Sequence, residues 1–264
     1  MIPGDRVYCR RGGIYLLTEL LDLAKKDGRW SECPSCSEII ITTKLKENLW
    51  VCSHCNHHFR INAKERIALL CDQEGFIGLD LTGQTVHQGG VPPEDSIRAG
   101  EATIDGQKCI LAVMDFTFKG GSMGVYLGNA VVRVFHYAQE MKVPLVFFTA
   151  SGGVRIQEGI WGLLQMIRTV HARTATEKIP MITVFTDPTT GGVSASFASL
   201  ADILLAEPGA RIGFAGPRVI EATTQVTLPP GFQEARTLLA HGFLDRIVSR
   251  HELRSTLSSF LRWF

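Results

Sequence analysis

Two adjacent glycines, Gly152 and Gly153, stand between an apolar stretch and a helical stretch, and this junction constrains the fold more than any other part of the sequence. The residues from Pro144 to Ala150 are mostly β-branched or aromatic, which predicts a buried strand. The apolar residues that follow recur at helical spacing: Ile156, Ile160, Leu163, Leu164 and Ile167. Because glycine has no Cβ, backbone N–H groups at such a junction can face a ligand at close range.

The same arrangement recurs further along the chain. Met181–Thr186 predicts a second apolar strand, Gly191 and Gly192 follow it, and Val193–Leu200 predicts a helix lined with small residues. The two glycine pairs are separated by about the length of one strand–helix–strand unit. Each pair could be an ordinary tight turn. Two copies in successive units favour paired backbone donors for a phosphate, a carboxylate or an oxyanion.

Length and composition exclude several classes of protein. The chain has 264 residues, a formal net charge of +1 and 45% hydrophobic residues, so it can bury a large core and has no overall basic field for nucleic acid. No apolar run approaches the ~20 residues of a membrane span. Early charges such as Asp5 and Arg6 do not fit a signal peptide, and scattered cysteines fit a reducing compartment, so we expect a cytoplasmic protein.

Four cysteines carry the most specific local pattern. Cys33 and Cys36 form one C-x2-C pair, and Cys52 and Cys55 form a second after fifteen intervening residues. This spacing, with a strand-like hairpin predicted over Glu38–Val51, is typical of a zinc ribbon, whereas a redox pair is the alternative. Four thiolates close the coordination shell, so the predicted zinc ion is structural, one per chain.

Side-chain catalysts are scarce in this sequence. It contains no G-x-S-x-G elbow and no H-E-x-x-H helix. Glu158 and Asp187 lie beside the glycine junctions, but capping or helix-dipole roles are favoured for both. The glycine-rich loop Lys119–Gly124 lacks the G-K-[ST] ending of a P-loop and is expected to line the same cavity. The sequence therefore predicts a site built from backbone donors.

Several motifs together resemble one known family. Beyond the four cysteines, they are Val113–Phe116, Gly120–Gly124, Ser151–Gly159, Asp187–Phe197 and Ala206–Glu221. Over about residues 30–250 they are similar to the carboxyltransferase β subunit of multisubunit bacterial acetyl-CoA carboxylase. The resemblance implies an α/β fold, a crotonase-like spiral of ββα units with an N-terminal four-cysteine zinc ribbon. The implied domains are an N-terminal helical extension (1–30), the ribbon (31–60) and a crotonase-like carboxyltransferase domain (61–264).

The resemblance also implies a reaction. Members of the family transfer a carboxyl group from carboxybiotin, held on a carrier protein, to acetyl-CoA, which gives malonyl-CoA. The enolate intermediates are oxyanions that backbone N–H groups can stabilise. The residues implied as catalytic donors are Gly152, Gly153, Gly191 and Gly192. Those implied in binding the CoA substrate are Gly121, Gly124 and Arg155, with Lys119, Arg168 and Arg218 as further candidates for its phosphates.

Partners follow from the same resemblance. They are a homologous α subunit in an α2β2 assembly, the biotin carboxyl carrier protein and biotin carboxylase, without a membrane. Two alternatives stay open at this point: a stand-alone crotonase-like acyl-CoA hydratase or decarboxylase, and a zinc-ribbon module that binds nucleic acid. The chain departs from the family pattern at four positions that are expected to line or adjoin the cavity: Asn129 for Glu, Val154 for Ala, Ile156 for Met and Leu164 for Met. The segment before Gly100 is also shorter than usual, with the loop-like stretch Gln88–Pro93 in its place.

Overall fold

The computed structural model describes residues 6–8, 14–16, 28–81 and 94–264. The chain divides into two compact units, Met1–Arg60 and Ile61–Phe264. No helix among the described residues is long and apolar enough to cross a bilayer. The loop-like stretch Gln88–Pro93 lies outside the described residues.

Twelve strands are described, and most of them belong to one sheet. They are β1 (Arg6–Tyr8), β2 (Ile14–Leu16), β3 (Trp30–Glu32), β4 (Ile39–Ile41), β5 (Phe76–Gly78), β6 (Ile97–Ile104), β7 (Gln107–Met114), β8 (Leu145–Ser151), β9 (Met181–Thr190), β10 (Ile203–Ala206), β11 (Ile212–Gly213) and β12 (Arg246–Ile247).

Eight α-helices accompany these strands in the described part of the chain. They are α1 (Thr42–Glu47), α2 (Ala63–Leu70), α3 (Val125–Met141), α4 (Ile160–Ala175), α5 (Gly191–Ser194), α6 (Pro217–Thr224), α7 (Ala235–Ala240) and α8 (Arg250–Leu261). The helix predicted over Val193–Leu200 is instead the short α5 followed by a 3₁₀ turn, Phe197–Leu200.

The large unit is built on an eight-stranded sheet in the order β12-β10-β9-β8-β7-β6-β5, with β11 also paired to β9. Strands β5, β6 and β7 are antiparallel neighbours, and β7 through β10 run parallel. Every residue of β8 is buried. Strands in the middle of a parallel sheet are covered on both faces, so their sequences are apolar runs without alternation. Phe147 and Phe148 point into separate cores on opposite faces of the sheet. The sequence prediction of an α/β fold is confirmed.

The small unit differs from its predicted form in one respect. Strands β3 and β4 form an antiparallel pair, but the hairpin predicted over Glu38–Val51 is wrong beyond Ile41, since Thr42–Glu47 is helical. Leu45 from this helix packs with Ile40 in the core of the unit.

The predicted N-terminal helix falls mostly outside the described residues. The prediction of this helix rests on an apolar patch at helical spacing, made up of Leu16, Leu17, Leu20, Leu21, Leu23 and Ala24. Leu16 instead ends strand β2, which pairs antiparallel with β1. Residues 17–24 of the patch lie outside the described part of the chain.

Helix α4 buries its polar face and exposes its apolar one. The residues that face the protein interior are small or polar: Gly162, Gln165, Thr169, Ala172 and Arg173. The apolar residues at helical spacing point to solvent, with Ile156 exposed by 81%, Ile160 by 60%, Leu163 by 53% and Ile167 by 67%. An amphipathic helix normally packs its apolar stripe on the core. Here that stripe forms a surface on the outside of the unit.

A buried ionic triad ties both ends of the large unit to the sheet. Glu207 follows β10 and accepts hydrogen bonds from Arg66 of α2 at 2.7 Å and from Arg250 of α8 at 2.8 Å. Burial alone would raise the pKa of Glu207, but the two guanidinium groups lower it far below its ordinary value. The carboxylate is therefore ionised in the folded chain, and it balances two cations that have left water.

We expect Glu207→Gln to lower the free energy of unfolding by about 3–5 kcal/mol, because it leaves two buried guanidinium groups without a counter-charge. The folded-state pKa of Glu207 is depressed, so its contribution is present at neutral pH and is lost as the pH falls below about 4. Urea titration at pH 7 measures the loss. The control is Glu177→Gln, at an exposed position. Equal stability of the two variants would contradict the role of the triad.

Candidate functional site

The two glycine turns meet at the ends of neighbouring strands. Gly153 follows β8 with φ 120°, and Gly191 follows β9 with φ 65°, conformations that favour glycine. A Cβ on Gly191 would lie 2.7 Å from the Cα of Gly153, which is too close for any side chain. The two turns therefore meet, and their contact depends on the absence of a side chain at both positions.

Three of the four predicted glycine donors are already hydrogen-bonded within the chain. The N–H of Gly152 donates to the carbonyl of Gly120 at 2.8 Å. The N–H of Gly153 donates to Oγ of Ser151 at 3.0 Å. The N–H of Gly191 donates to the carbonyl of Phe214 at 2.7 Å. Remote loops supply the acceptors for Gly152 and Gly191, and the neighbouring Ser151 supplies that for Gly153. The role of the four glycines as catalytic donors stays a prediction.

Two N–H groups beside this contact have no acceptor among the described residues, those of Gly192 and Val154. The two residues are adjacent, since a Cβ on Gly192 would lie 2.3 Å from Cγ2 of Val154. Gly192 is buried and Val154 is half-buried. Sequence reasoning named Val154 only as a lining side chain, whereas the structure adds its backbone as a donor. Unpaired buried donors suit a developing oxyanion.

Two buried serines fix the backbone around these donors. Ser151 Oγ donates to the carbonyl of Gly121 at 2.7 Å and so joins the β8 turn to the glycine-rich loop. Ser194 Oγ lies 2.9 Å from the carbonyl of Gly191 and 2.7 Å from that of Gly213, which joins the β9 turn to β11. Side chains that bridge separate loops hold a site in one geometry. No pattern in the sequence distinguished these serines from ordinary turn residues.

Arg155 is fully engaged inside the protein. Its guanidinium forms a bidentate pair with Glu94 at 2.6 and 2.9 Å, and it also contacts Glu158 and Ser122. Burial would lower its pKa, but Glu94 and Glu158 raise it above the ordinary value, so the group stays charged. All five N–H positions of Arg155 already have acceptors inside the protein. Its contact with a CoA phosphate stays a prediction. Its role here is to hold the glycine-rich loop.

Gly121 and Gly124 have packing reasons for lacking side chains. A Cβ on Gly121 would clash with the carbonyl of Ala150, and one on Gly124 would clash with the carboxylate of Glu158. The structure thus explains both glycines by the close approach of this loop to the β8 turn. Contact of either glycine with the CoA substrate stays a prediction.

Both candidate acids have structural partners, but only Glu158 has the capping role that was favoured for the two. Glu158 Oε2 accepts from the N–H of Val125 at 2.6 Å, which caps the first turn of α3. Asp187 forms an ion pair with Arg211 at 3.1 Å. Unlike these two carboxylates, the N–H groups of Gly192 and Val154 have no partner among the described residues.

The four predicted zinc ligands converge in the small unit. The Sγ atoms of Cys33, Cys36, Cys52 and Cys55 all lie within 4.8 Å of one another. The distance is 3.6 Å between Cys33 and Cys55 and 3.8 Å between Cys36 and Cys52. Zinc–sulfur bonds of ~2.3 Å in a tetrahedron place sulfurs about 3.8 Å apart, so the donor set fits Zn²⁺.

The two knuckles have the same backbone. In each, the residue after the second cysteine is left-handed, with φ 57° at Ser37 and φ 59° at Asn56. Its N–H donates to the carbonyl of the first cysteine, at 2.8 Å for Ser37 and 3.0 Å for Asn56. The N–H of His57 and the neighbouring thiols lower the pKa of Cys55 to about 6, which favours a thiolate there.

Comparison with known proteins decides the family. A model of the carboxyl transferase domain matches residues 60–234. A relative from Carboxydothermus hydrogenoformans, named acetyl-coenzyme A carboxylase carboxyl transferase subunit beta, is 46% identical over 255 residues, covering 90% of both chains. The chain belongs to the carboxyl transferase family. Another subunit beta of this family, from Desulforamulus reducens, is 43% identical and covers 89% of the chain and 87% of its own length.

Other similar proteins include a fused relative and two solved structures that share the fold. In Natranaerobius thermophilus the similar protein is named subunits beta/alpha, and the chain matches 42% of its length at 43% identity. The transcarboxylase 12S structure shares the fold with a TM-score of 0.67 at 23% identity, and the chain spans about half of it, 47%. A Pseudomonas malonate decarboxylase hetero-tetramer gives a TM-score of 0.64 at 25% identity, over 76% of this chain.

We expect the purified chain to contain one zinc ion, measured by metal analysis of protein prepared without chelator, since the four thiols fit a closed structural site. Cys33→Ser should lose the metal and increase proteolysis of residues 28–60. Cys109→Ser, at a buried cysteine outside the cluster, is the control and should retain the zinc. Metal-free wild-type protein, or a fully loaded Cys33→Ser variant, would show that the cluster has another role.

Proposed function

We propose that this chain is the β subunit of an acetyl-CoA carboxylase carboxyltransferase, which transfers a carboxyl group from carboxybiotin to acetyl-CoA to give malonyl-CoA. The observation that carries the proposal is the adjacent pair of unpaired donors at Gly192 and Val154, in a chain that is 42–46% identical to subunits of that name. Backbone donors without a free side-chain acid suit a reaction that passes through an enolate.

The proposed task of the two donors is to stabilise charge on the thioester oxygen. The biotin anion that remains when carboxybiotin releases CO2 would take a proton from the acetyl methyl group, which moves negative charge to the thioester carbonyl oxygen. The enolate carbon would then attack the released CO2. Two N–H groups that are already in position can donate hydrogen bonds to that carbonyl oxygen without reorganising. Each such donor typically contributes ~10²–10³ in rate. Carboxybiotin, on a separate carrier protein, supplies the carboxyl group. The serine bridges from Ser151 and Ser194 keep the donors in place while the charge moves.

The exposed apolar stripe of α4 favours the presence of a partner subunit. Together with Trp161, Phe214 and Val219, which are exposed by 51%, 68% and 60%, it gives this unit an unusually apolar surface. We propose that an α-type carboxyltransferase subunit covers it. The fused beta/alpha relative and the hetero-tetrameric structural neighbour support this choice of occupant. An α2β2 assembly, served by the biotin carrier protein and biotin carboxylase in the cytoplasm, completes the proposal.

We also propose which fold each of the two units has. We assign residues 61–264 as a crotonase-like spiral of ββα units and residues 31–60 as a zinc ribbon, with structural Zn²⁺ on the four cysteines. The hairpin β6–β7 followed by α3, and the strand–helix pairs β8–α4 and β9–α5, support the repeat. The repeated glycine turns support it as well, because each lies at the same place in its unit.

The glycine turns provide a test of the donors with a matched control. A methyl on Gly192 would press on the stiff side chain of Val154, whereas one on Gly152 would lie 3.4 Å from the nearest atom. We expect Gly192→Ala to lower malonyl-CoA formation about 10²-fold, because it displaces the donor, and Gly152→Ala to have little effect. Rates are measured with the partner subunit and biotin carrier present. If the two variants lose activity equally, the donor assignment fails.

The apolar stripe can be tested with two isoleucines of equal exposure. Ile167 and Ile77 are both 67% exposed, but only Ile167 lies on the stripe. We expect Ile167→Glu to abolish co-elution with the α-type subunit in size-exclusion chromatography, because it buries a charge at the interface. Ile77→Glu should co-elute as the wild type does.

The isolated chain separates this proposal from the alternatives. We expect it to form no malonyl-CoA without its partner. Hydration or decarboxylation of an acyl-CoA by the chain alone would instead favour a stand-alone acyl-CoA enzyme.

A further inference from the structure

A cavity lies between helices α3 and α4, and none of its lining residues belongs to the glycine turns. Its volume is about 490 Å³, within the range of small-molecule sites. Its polar lining consists of Asp80, Asn129, Arg133, His136 and Arg168, and Leu79 and Val132 add apolar wall. Asn129 was expected to adjoin the catalytic cavity, but the structure places it here.

In the part of the chain that the structure describes, the half-buried cation Arg168 has no acidic partner. Its Nη1 donates to Oδ1 of Asn129 at 2.6 Å and to Oε1 of Gln165 at 2.8 Å, and both acceptors are neutral amides. The N–H groups on Nε and Nη2 have no acceptor among the described residues. Residues 82–93, which follow Leu81, contain no Asp or Glu that could supply one. Burial lowers the pKa of this guanidinium, and no carboxylate among the described residues pairs with it.

Asn129 presents a second unsatisfied donor. Its Oδ1 is occupied by Arg168, while its Nδ2 is buried and has no hydrogen-bond partner. A buried amide N–H without an acceptor costs about 1–3 kcal/mol, so a native site that keeps one normally provides for a ligand or water. The cavity thus offers donors on two adjacent side chains, and an oxygen-rich anion would satisfy both.

The other charged groups favour an anion as well. Arg133 is half-buried and lies 3.7 Å from the carboxylate of Glu140, a distance typical of a weak pair. His136 is exposed beside it, and Asp80, also exposed, is the one acidic residue in the described lining. Positive charge therefore exceeds negative charge in the lining. Leu79 and Val132 can contact the less polar body of a ligand.

We propose that this cavity binds a phosphorylated small molecule, whose phosphate is held by Arg168 and Asn129. The free Nε and Nη2 donors of the Arg168 guanidinium match two oxygens of a tetrahedral oxyanion, and Asn129 holds the guanidinium in place through Nη1. The cavity volume exceeds what a bare phosphate fills, so the ligand carries an organic group against the apolar wall. The site is separate from the proposed acyl-transfer site, and its binding can be measured without catalysis.

The test is calorimetric titration of the full chain with inorganic pyrophosphate, compared with two variants. Arg168→Gln should raise the Kd at least about tenfold, because a charge-assisted pair is lost. Asn129→Asp should abolish binding and raise the melting temperature by about 2–4 °C, since it gives Arg168 an internal counter-ion. The control is Arg236→Gln, which removes one positive charge at an exposed position outside the cavity and should bind as the wild type does.

Two results would overturn the proposal. One is a wild-type chain that shows no saturable binding up to about 10 mM pyrophosphate, beyond the millimolar range expected of a few charge-assisted bonds. The other is an Arg168→Gln variant, folded by circular dichroism, that binds with wild-type affinity. Pyrophosphate binding is measured without catalysis, so failure of this site and failure of the proposed function are distinguishable.

Discussion

The contact between Gly153 and Gly191 is the constraint on which the rest of the site depends. Strands β8 and β9 are hydrogen-bonded neighbours, so the turns that follow them come together at one edge of the sheet. Their backbones can touch only because neither residue has a Cβ. This contact places Val154 against Gly192, and the N–H groups of both residues have no acceptor among the described residues. A side chain at either glycine would separate the turns and with them the two donors.

A dense set of internal hydrogen bonds holds this contact and also selects the donors. Ser151, Ser194 and Arg155 each bridge segments that are distant in sequence, and the nearby polar groups are satisfied as a result. Against this background an unpaired N–H is conspicuous, because buried polar groups nearly always have partners. The same reasoning identifies the Arg168 cavity, where a guanidinium and an amide keep unused donors. In both places the unsatisfied group indicates where a ligand belongs.

Helix α4 shows how assembly constrains a single chain. Its inner face is small and polar, with Gly162 closely packed on the backbone of Arg155, while its apolar stripe is exposed. Exposed apolar surface of this extent favours association, and burying it against a partner recovers the hydrophobic free energy that the isolated chain does not gain. The stripe begins at Ile156, directly after the β8 turn, so a partner that covers it lies next to the donors.

The sequence by itself determined the features that local patterns encode. Strands β8 and β9, the two glycine turns and the four-cysteine cluster were all predictable, because alternation, apolar runs and ligand spacing act over a few residues. Only the tertiary structure decided which donors stay free, since the acceptors at Gly120 and Phe214 come from other loops. It also decided that Arg155 is internally paired and that the apolar stripe of α4 faces outwards. Periodicity defines a helix face, but the neighbouring elements determine which face is covered.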